Sequence, residues 1–208
     1  MARESTNARL EAFCDGVFAI AITLLVLEIK IPRIGSITSV SQFWHLIIHE
    51  WPEWFGFALS FVIVLVAWVN HHDFFKLISK SRVTFTYANG LLLFSVAAIP
   101  FTTGVMSEFM MSELARPAIT VYCFGVLFHC FSWFVFLWTA MHPVSILKDE
   151  ATTELVNSTI VKYNRYAFFF YLLLCLLSFW LPYVSLILMT LSWLVWVVSA
   201  IKLNSKND

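Results

Sequence analysis

From Tyr166 to Ile201 the chain contains no charged side chain at all. A bilayer's hydrocarbon core is about 30 Å thick and takes roughly 20 apolar residues per helix. This run is too long for one span, and Pro182 divides it into two short ones. Four earlier stretches are long enough to cross as well. The first runs from about Leu10 to Ile31 and stops at Pro32, and the second from about Trp54, after Pro52, to Phe75. The third covers about Tyr87 to Met110, with a kink expected at Pro100, and the fourth runs from Pro117 to about Met141. Strands of a membrane barrel alternate apolar and polar residues, and the string LLLCLLSFWL from Leu172 does not. The expectation is an all-α integral membrane protein with six transmembrane helices.

Composition supports this class and removes others. Hydrophobic residues are 60% of the 208 and charged residues 12%, against roughly 25% charged in soluble domains. Lysine plus arginine and aspartate plus glutamate number 13 each, so the chain is not a nucleic-acid binder working by bulk charge. The N-terminus lacks the ordered regions of a signal peptide, and Leu10–Ile31 is kept as a real helix. The four cysteines, Cys14, Cys123, Cys130 and Cys175, fall in spans and read as small buried hydrophobes.

Six spans put both termini on one side. With them lie Arg3, Arg9, Lys76, Lys80, Arg82, Lys148, Lys162, Arg165, Lys202 and Lys206, against Lys30, Arg33 and Arg116 on the other. The positive-inside rule then makes both termini cytoplasmic in a multi-pass cell (plasma or inner) membrane protein. Val40–Glu50, with Trp44, His45 and His49, is expected as a short interfacial helix on the outer side.

The chemistry concentrates in the first helix, where Arg9, Glu11 and Asp15 stand near one end. Such groups cost several kcal/mol in a bilayer unless paired or watered. Asp15 and Asn70 lie at similar depth in the first two helices, and His71 and His72 follow directly. The alternatives for this group are a buried Asp–Asn/His cluster joining the two helices and a ring of interfacial anchors. Higher on the helix, Ile20, Thr23, Leu24 and Leu27 fall at i, i+3, i+4 and i+7, one stripe that suits helix packing or a pore wall. Gly16 and Ala19 are small enough for close helix approach.

The string Arg9-Leu-Glu-Ala-Phe13-Cys14-Asp15 resembles the Arg-x-x-x-Phe-Ser-Asp signature of the transmembrane protein 175 family of potassium channels. The likeness continues through Gly16-Val-Phe-Ala-Ile20-Ala-Ile-Thr23-Leu-Leu-Val-Leu27-Glu28, and Asn70-His71-His72 also looks like the family's second helix. The resemblance implies one six-helix channel domain over residues 1–208, with the first helix lining a central pore in a homotetramer. It implies a potassium channel modestly selective over sodium, while the animal lysosomal member also passes protons. By motif position, Ile20 forms the hydrophobic constriction, followed outward by Thr23, Leu24 and Leu27. Arg9, Phe13, Cys14 and Asp15, with Asn70 and His71, belong to the network that holds the first helix. Cys14 stands where serine is usual, and a thiol is a weaker hydrogen-bonding group than a hydroxyl.

The residues agree with that reading. No Thr-Val-Gly-Tyr-Gly string occurs, which excludes the ordinary carbonyl filter. The signature occurs once, so closed symmetry, most simply fourfold, must complete a pore. An isoleucine ring offers no oxygen to an ion and gates by dewetting when narrow. Potassium sheds water more cheaply than sodium, and Thr23 is the one stripe residue able to return an oxygen to a transiently bound ion. Glu28, near the outer mouth, either concentrates cations or pairs with Lys30 or Arg33.

The expected partners are further copies of the chain, the lipid bilayer and permeant monovalent cations, with no cofactor. A secondary transporter for a small cation is the alternative, but Pro100 has no matching break in the other half and no repeat is visible. Haem redox chemistry is disfavoured because His129 and His142 point apart on their helix and His71 and His72 diverge. An enzyme is not expected, since no nucleophile–base or metal-ligand spacing stands out.

Overall fold

Apolar runs bounded by proline and loop residues become helices in the computed structural model, which describes residues 4–29 and 39–204. Helix α1, Glu4–Leu24, tightens into a 3-10 turn at Leu25–Glu28. The short helix α2 spans Val40–His49, and α3 spans Trp51–Phe75 with Pro52 in its first turn. Helix α4, Val83–Phe109, runs through Pro100 without a break, and α5 spans Ala115–Met141. A continuous rod follows, made of α6 (Glu150–Leu155), a π-helical turn (Val156–Val161) and α7 (Lys162–Leu177). Helix α8, Pro182–Asn204, completes the described chain. Among the described residues no sheet forms, and the β pairing is a lone bridge between Ile78 and Leu147.

Among the described residues, five helical stretches are long and apolar enough to cross a bilayer, and Pro182–Val198 is a shorter apolar helix. Several boundaries differ from the hydropathy reading, among them the start of α1 at Glu4. The α-helical part of the first span ends at Leu24, and Lys30, Ile31, Pro32 and Arg33 lie outside the described residues. Helix α4 begins at Val83, before the apolar run. The rod of α6 and α7 begins at Glu150, well before Tyr166, because Asp149 accepts the Thr152 amide at 2.7 Å and starts a polar helix. That bond, together with one from the Thr152 side chain, holds the Asp149 carboxyl below its ordinary range. Apolar content marks where a helix enters lipid, not where it begins.

Helices α1 and α3 run antiparallel, with Asp15 beside Trp68 near one end. At the other end Leu25 shares a cleft with Gly56, Ser60 and Thr103 of α3 and α4. Around His71 the helices meet in an aromatic cluster, where Phe136 of α5 lies 5.0 Å from Phe74 and 4.9 Å from Phe85 between ring centres. Arg82 donates from Nη2 to the carbonyls of Thr139 (3.0 Å) and His142 (2.8 Å), closing the C-terminal turn of α5. All four cysteines are buried and free, as expected.

Helices α4 and α5 approach closely at Gly125. A Cβ there would stand 2.6 Å from Thr102 Oγ1 and 2.9 Å from Thr102 Cβ, and no rotation of Thr102 moves its own Cβ away. Gly125→Val must force the helices apart, and we expect it to cost about 1–3 kcal/mol, as overpacking does. Thermal unfolding of purified protein in one detergent checks this; an unchanged midpoint would show that the two helices separate freely.

Candidate functional site

On α1 the core-facing side is narrow. Cys14, Phe18 and Leu25 are buried (0%, 1% and 1% exposed) and point into the bundle. The opposite side is open: Phe13 is 62% exposed, Ile20 60%, Leu24 53% and Leu27 73%. Thr23 lies on the same open side with Ala12, Gly16 and Ala19. At about 100° per residue these eight side chains fall within roughly 140° of arc. The open faces of α4 and α5 carry bulky aromatics, Tyr87, Phe94 and Phe101 on α4 and Phe124, Phe131 and Trp138 on α5. Bulky aromatics suit lipid tails, whereas alanine, glycine and threonine let backbones approach one another.

The 3-10 turn alters the stripe in a way that regular α-helical spacing does not anticipate. Three residues of 3-10 helix make about one full turn and rise about 6 Å. Leu27 therefore stands directly over Leu24 instead of stepping around the helix. Thr23 shares its hydroxyl hydrogen between the carbonyls of Ala19 (2.9 Å) and Ile20 (3.1 Å). With the hydrogen turned into the helix, the oxygen's lone pairs face outward, which is what a cation requires. The Glu28 side chain falls outside the described residues.

The lower half of α1 is held by two polar links. Trp68 Nε1 donates to Asp15 Oδ1 at 2.9 Å, and the Trp68 ring stacks on His72 with centres 5.9 Å apart. His72 Nδ1 in turn lies 3.3 Å from Glu11 Oε1. The second link is deeper. Asn89 Nδ2 donates to Cys14 Sγ at 3.1 Å, and Asn89 Oδ1 lies 2.8 Å from His71 Nε2. Because the carboxamide oxygen only accepts, His71 carries its proton on Nε2. Its Nδ1 is then left buried without a partner among the described residues. Phe18, Phe75 and Phe136 surround the imidazole, with Phe75 4.5 Å away between centres.

The expected Asp–Asn/His cluster is therefore divided and partly reassigned. Asp15 finds Trp68, and His71 finds an asparagine, but that asparagine is Asn89 of α4. Asn70 is half-buried and lies about 100° around the helix from His71, off the side that meets Cys14. Arg9 is exposed in the single chain. Trp68 and Asn89 were missed, although an amide inside the apolar string Ala88-Asn89-Gly90-Leu91 is itself a signal, since such a group needs a partner in a membrane. Cys14 does take up a hydrogen bond at the serine position, as the acceptor for Asn89.

Known proteins bear on this geometry. The family model described as endosomal/lysosomal potassium channel TMEM175 matches residues 9–100, which include α1, α3 and the first part of α4. A protein of Chamaesiphon minutus named a potassium channel is 40% identical over 177 residues, covering 85% of this chain and 86% of that one. A potassium channel of Chryseobacterium sp. is 29% identical over 194 residues, covering 93% of each. The crystal structure of a lysosomal potassium-selective channel TMEM175 homolog from Chamaesiphon minutus superposes with a TM-score of 0.83. It is 34% identical, and the match covers 94% of this chain and 98% of that one. Signature, network and fold thus converge, and the chain belongs to the TMEM175 family of cation channels.

Proposed function

We propose that this chain assembles as a homotetramer around a central pore lined by α1 and conducts potassium with a modest preference over sodium. In this reading Pro182–Val198 forms the sixth span. Both termini then face the cytoplasm of a cell-membrane protein, a reading that the lysine and arginine distribution supports. The carrying observation is the open side of α1, where small residues and a hydroxyl with outward lone pairs stand in place of the aromatic ridges of α4 and α5. The names of the relatives, potassium channels in both bacteria, support the choice of ion.

The mechanism follows from the order of side chains along that side. Phe13, expected in the network that holds α1, lies instead on the open side with Ile20, and the two narrow the path with groups that cannot coordinate an ion. Four Ile20 side chains at one level dewet when close and conduct when the helices tilt apart. A cation that has shed part of its water at Ile20 meets four Thr23 oxygens about one turn further on. That ring replaces only some of the lost hydration, which gives weak binding, quick release and modest preference for the more easily dehydrated ion. Asp15–Trp68 and Cys14–Asn89–His71 set the position of α1 without touching the ion.

The test is ion flux from liposomes holding purified protein, with potassium, sodium and a bulky organic cation compared. Potassium flux above sodium, with none of the organic cation, is the expected result, and unitary currents in a planar bilayer exclude an alternating-access transporter. Thr23→Val removes the oxygen at nearly constant shape and is expected to lower potassium-over-sodium preference while conduction persists. Unchanged reversal potentials in mixed salts would remove Thr23 from the ion path.

A further inference from the structure

Helix α2 carries two histidines outside the network and outside the pore face. His45 and His49 are one turn apart, both exposed, with ring centres 5.1 Å apart and planes inclined by 41°. Around the helix they share one side with Gln42, while Val40, Phe43 and Ile47 occupy the opposite side. An interfacial helix of this pattern turns its apolar side to the bilayer or bundle and its histidines to water. The end of the bundle that bears α2 is the one opposite the start of α1, because α2 leads through Glu50 directly into α3.

The ring separation has a metric meaning. A zinc-class ion takes imidazole nitrogen at about 2.0–2.1 Å, which puts it about 3.2 Å from each ring centre. Two rings at the tetrahedral angle then have centres about 5.2 Å apart, and at a right angle about 4.5 Å. The observed 5.1 Å lies within the separation that such a chelate permits. We propose that His45 and His49 form a divalent transition-metal site on the water-facing side of α2, chelating zinc, nickel or copper(II) through one nitrogen each. Among the described residues no cluster of three or more His, Cys, Asp or Glu is placed to hold a metal, so water fills the remaining positions and the ion exchanges. The sequence between them, Leu46-Ile47-Ile48, has no carboxylate to act as a base, so the site binds and does not hydrolyse. Magnesium and calcium, which take oxygen ligands, are rejected.

The experiment titrates purified full-length protein with zinc chloride and, separately, magnesium chloride by calorimetry near neutral pH. One zinc per chain and no magnesium binding are expected. His45→Ala and His49→Ala should each weaken zinc binding by about ten-fold or more, because each removes one of only two protein ligands. His142→Ala, which alters an exposed imidazole stacked on Trp138, should leave it unchanged. Copper(II) loaded at one equivalent per chain should give a paramagnetic resonance spectrum with coupling to two nitrogens, a readout that needs no variant. Zinc affinity unchanged in both single variants, loss on His142→Ala alone, or copper coupled to fewer than two nitrogens overturns the assignment.

Discussion

Replacing Asn89 with leucine is expected to lower the stability of the folded chain by about 1–3 kcal/mol while keeping the number and branching of the side-chain heavy atoms. The loss comes from what is left behind. His71 Nε2 is fully buried and lies 2.8 Å from Asn89 Oδ1, so its N–H would be stranded among Phe18, Phe75 and Phe136. Cys14 would lose its amide donor as well, a smaller penalty because sulfur is a weak acceptor. A double-mutant cycle separates this account from simple repacking. Removing both polar groups, with His71→Phe added to Asn89→Leu, leaves no stranded N–H, so the pair should cost less than the sum of the singles by about 1 kcal/mol. Thermal unfolding in a single detergent measures all four corners, and strict additivity would show that the hydrogen bond carries no net energy.

Much of this bundle was legible in the sequence because a membrane enforces one rule strongly, that apolar runs of sufficient length become helices. Trp51–Phe75 and Ala115–Met141 begin and end within a few residues of the hydropathy reading for that reason. The rod from Glu150 was not legible, since Asp149 and the polar residues after it form helix by capping and propensity, which hydropathy does not register. The signature on α1 and the Asn70-His71-His72 string on α3 pointed to Cys14, Asp15 and His71, each of which is linked to a neighbouring helix. They did not reveal the partners. A helical wheel orders residues on one helix, whereas Trp68 and Asn89 become partners only through the rotation of α3 and α4 about their own axes. Packing sets that rotation, through contacts such as Phe136 against Phe74 and Phe85 and Gly125 against Thr102. The 3-10 turn at Leu25–Glu28 escaped for a similar reason: Leu-Val-Leu-Glu is compatible with either winding, and nothing local chooses between them.

Ile20→Asn is expected to have the largest effect on conduction, raising potassium flux by about ten-fold, which corresponds to lowering the barrier by about 1.4 kcal/mol. Ile20 is 60% exposed in the single chain and flanked on the same side by Ala19 and Thr23, so a fourfold assembly that brings these small residues together brings four isoleucines to one level. A ring of branched hydrocarbon excludes water when narrow, and the cost of wetting it is the gate. Asparagine has as many side-chain heavy atoms but is smaller and carries a hydrogen-bonding amide, so it holds water where isoleucine expels it. Stability should be little affected, because Ile20 is not part of the buried core around Cys14 and Phe18. The same variant assigns selectivity. If partial dehydration at Ile20 sets the potassium preference, a wetted ring passes sodium almost as well and the preference collapses. If the Thr23 oxygens set it, flux rises and preference survives, and Thr23→Val then abolishes it in the Ile20→Asn background. Flux unchanged by Ile20→Asn would mean that this side of α1 meets lipid, and that ions cross elsewhere.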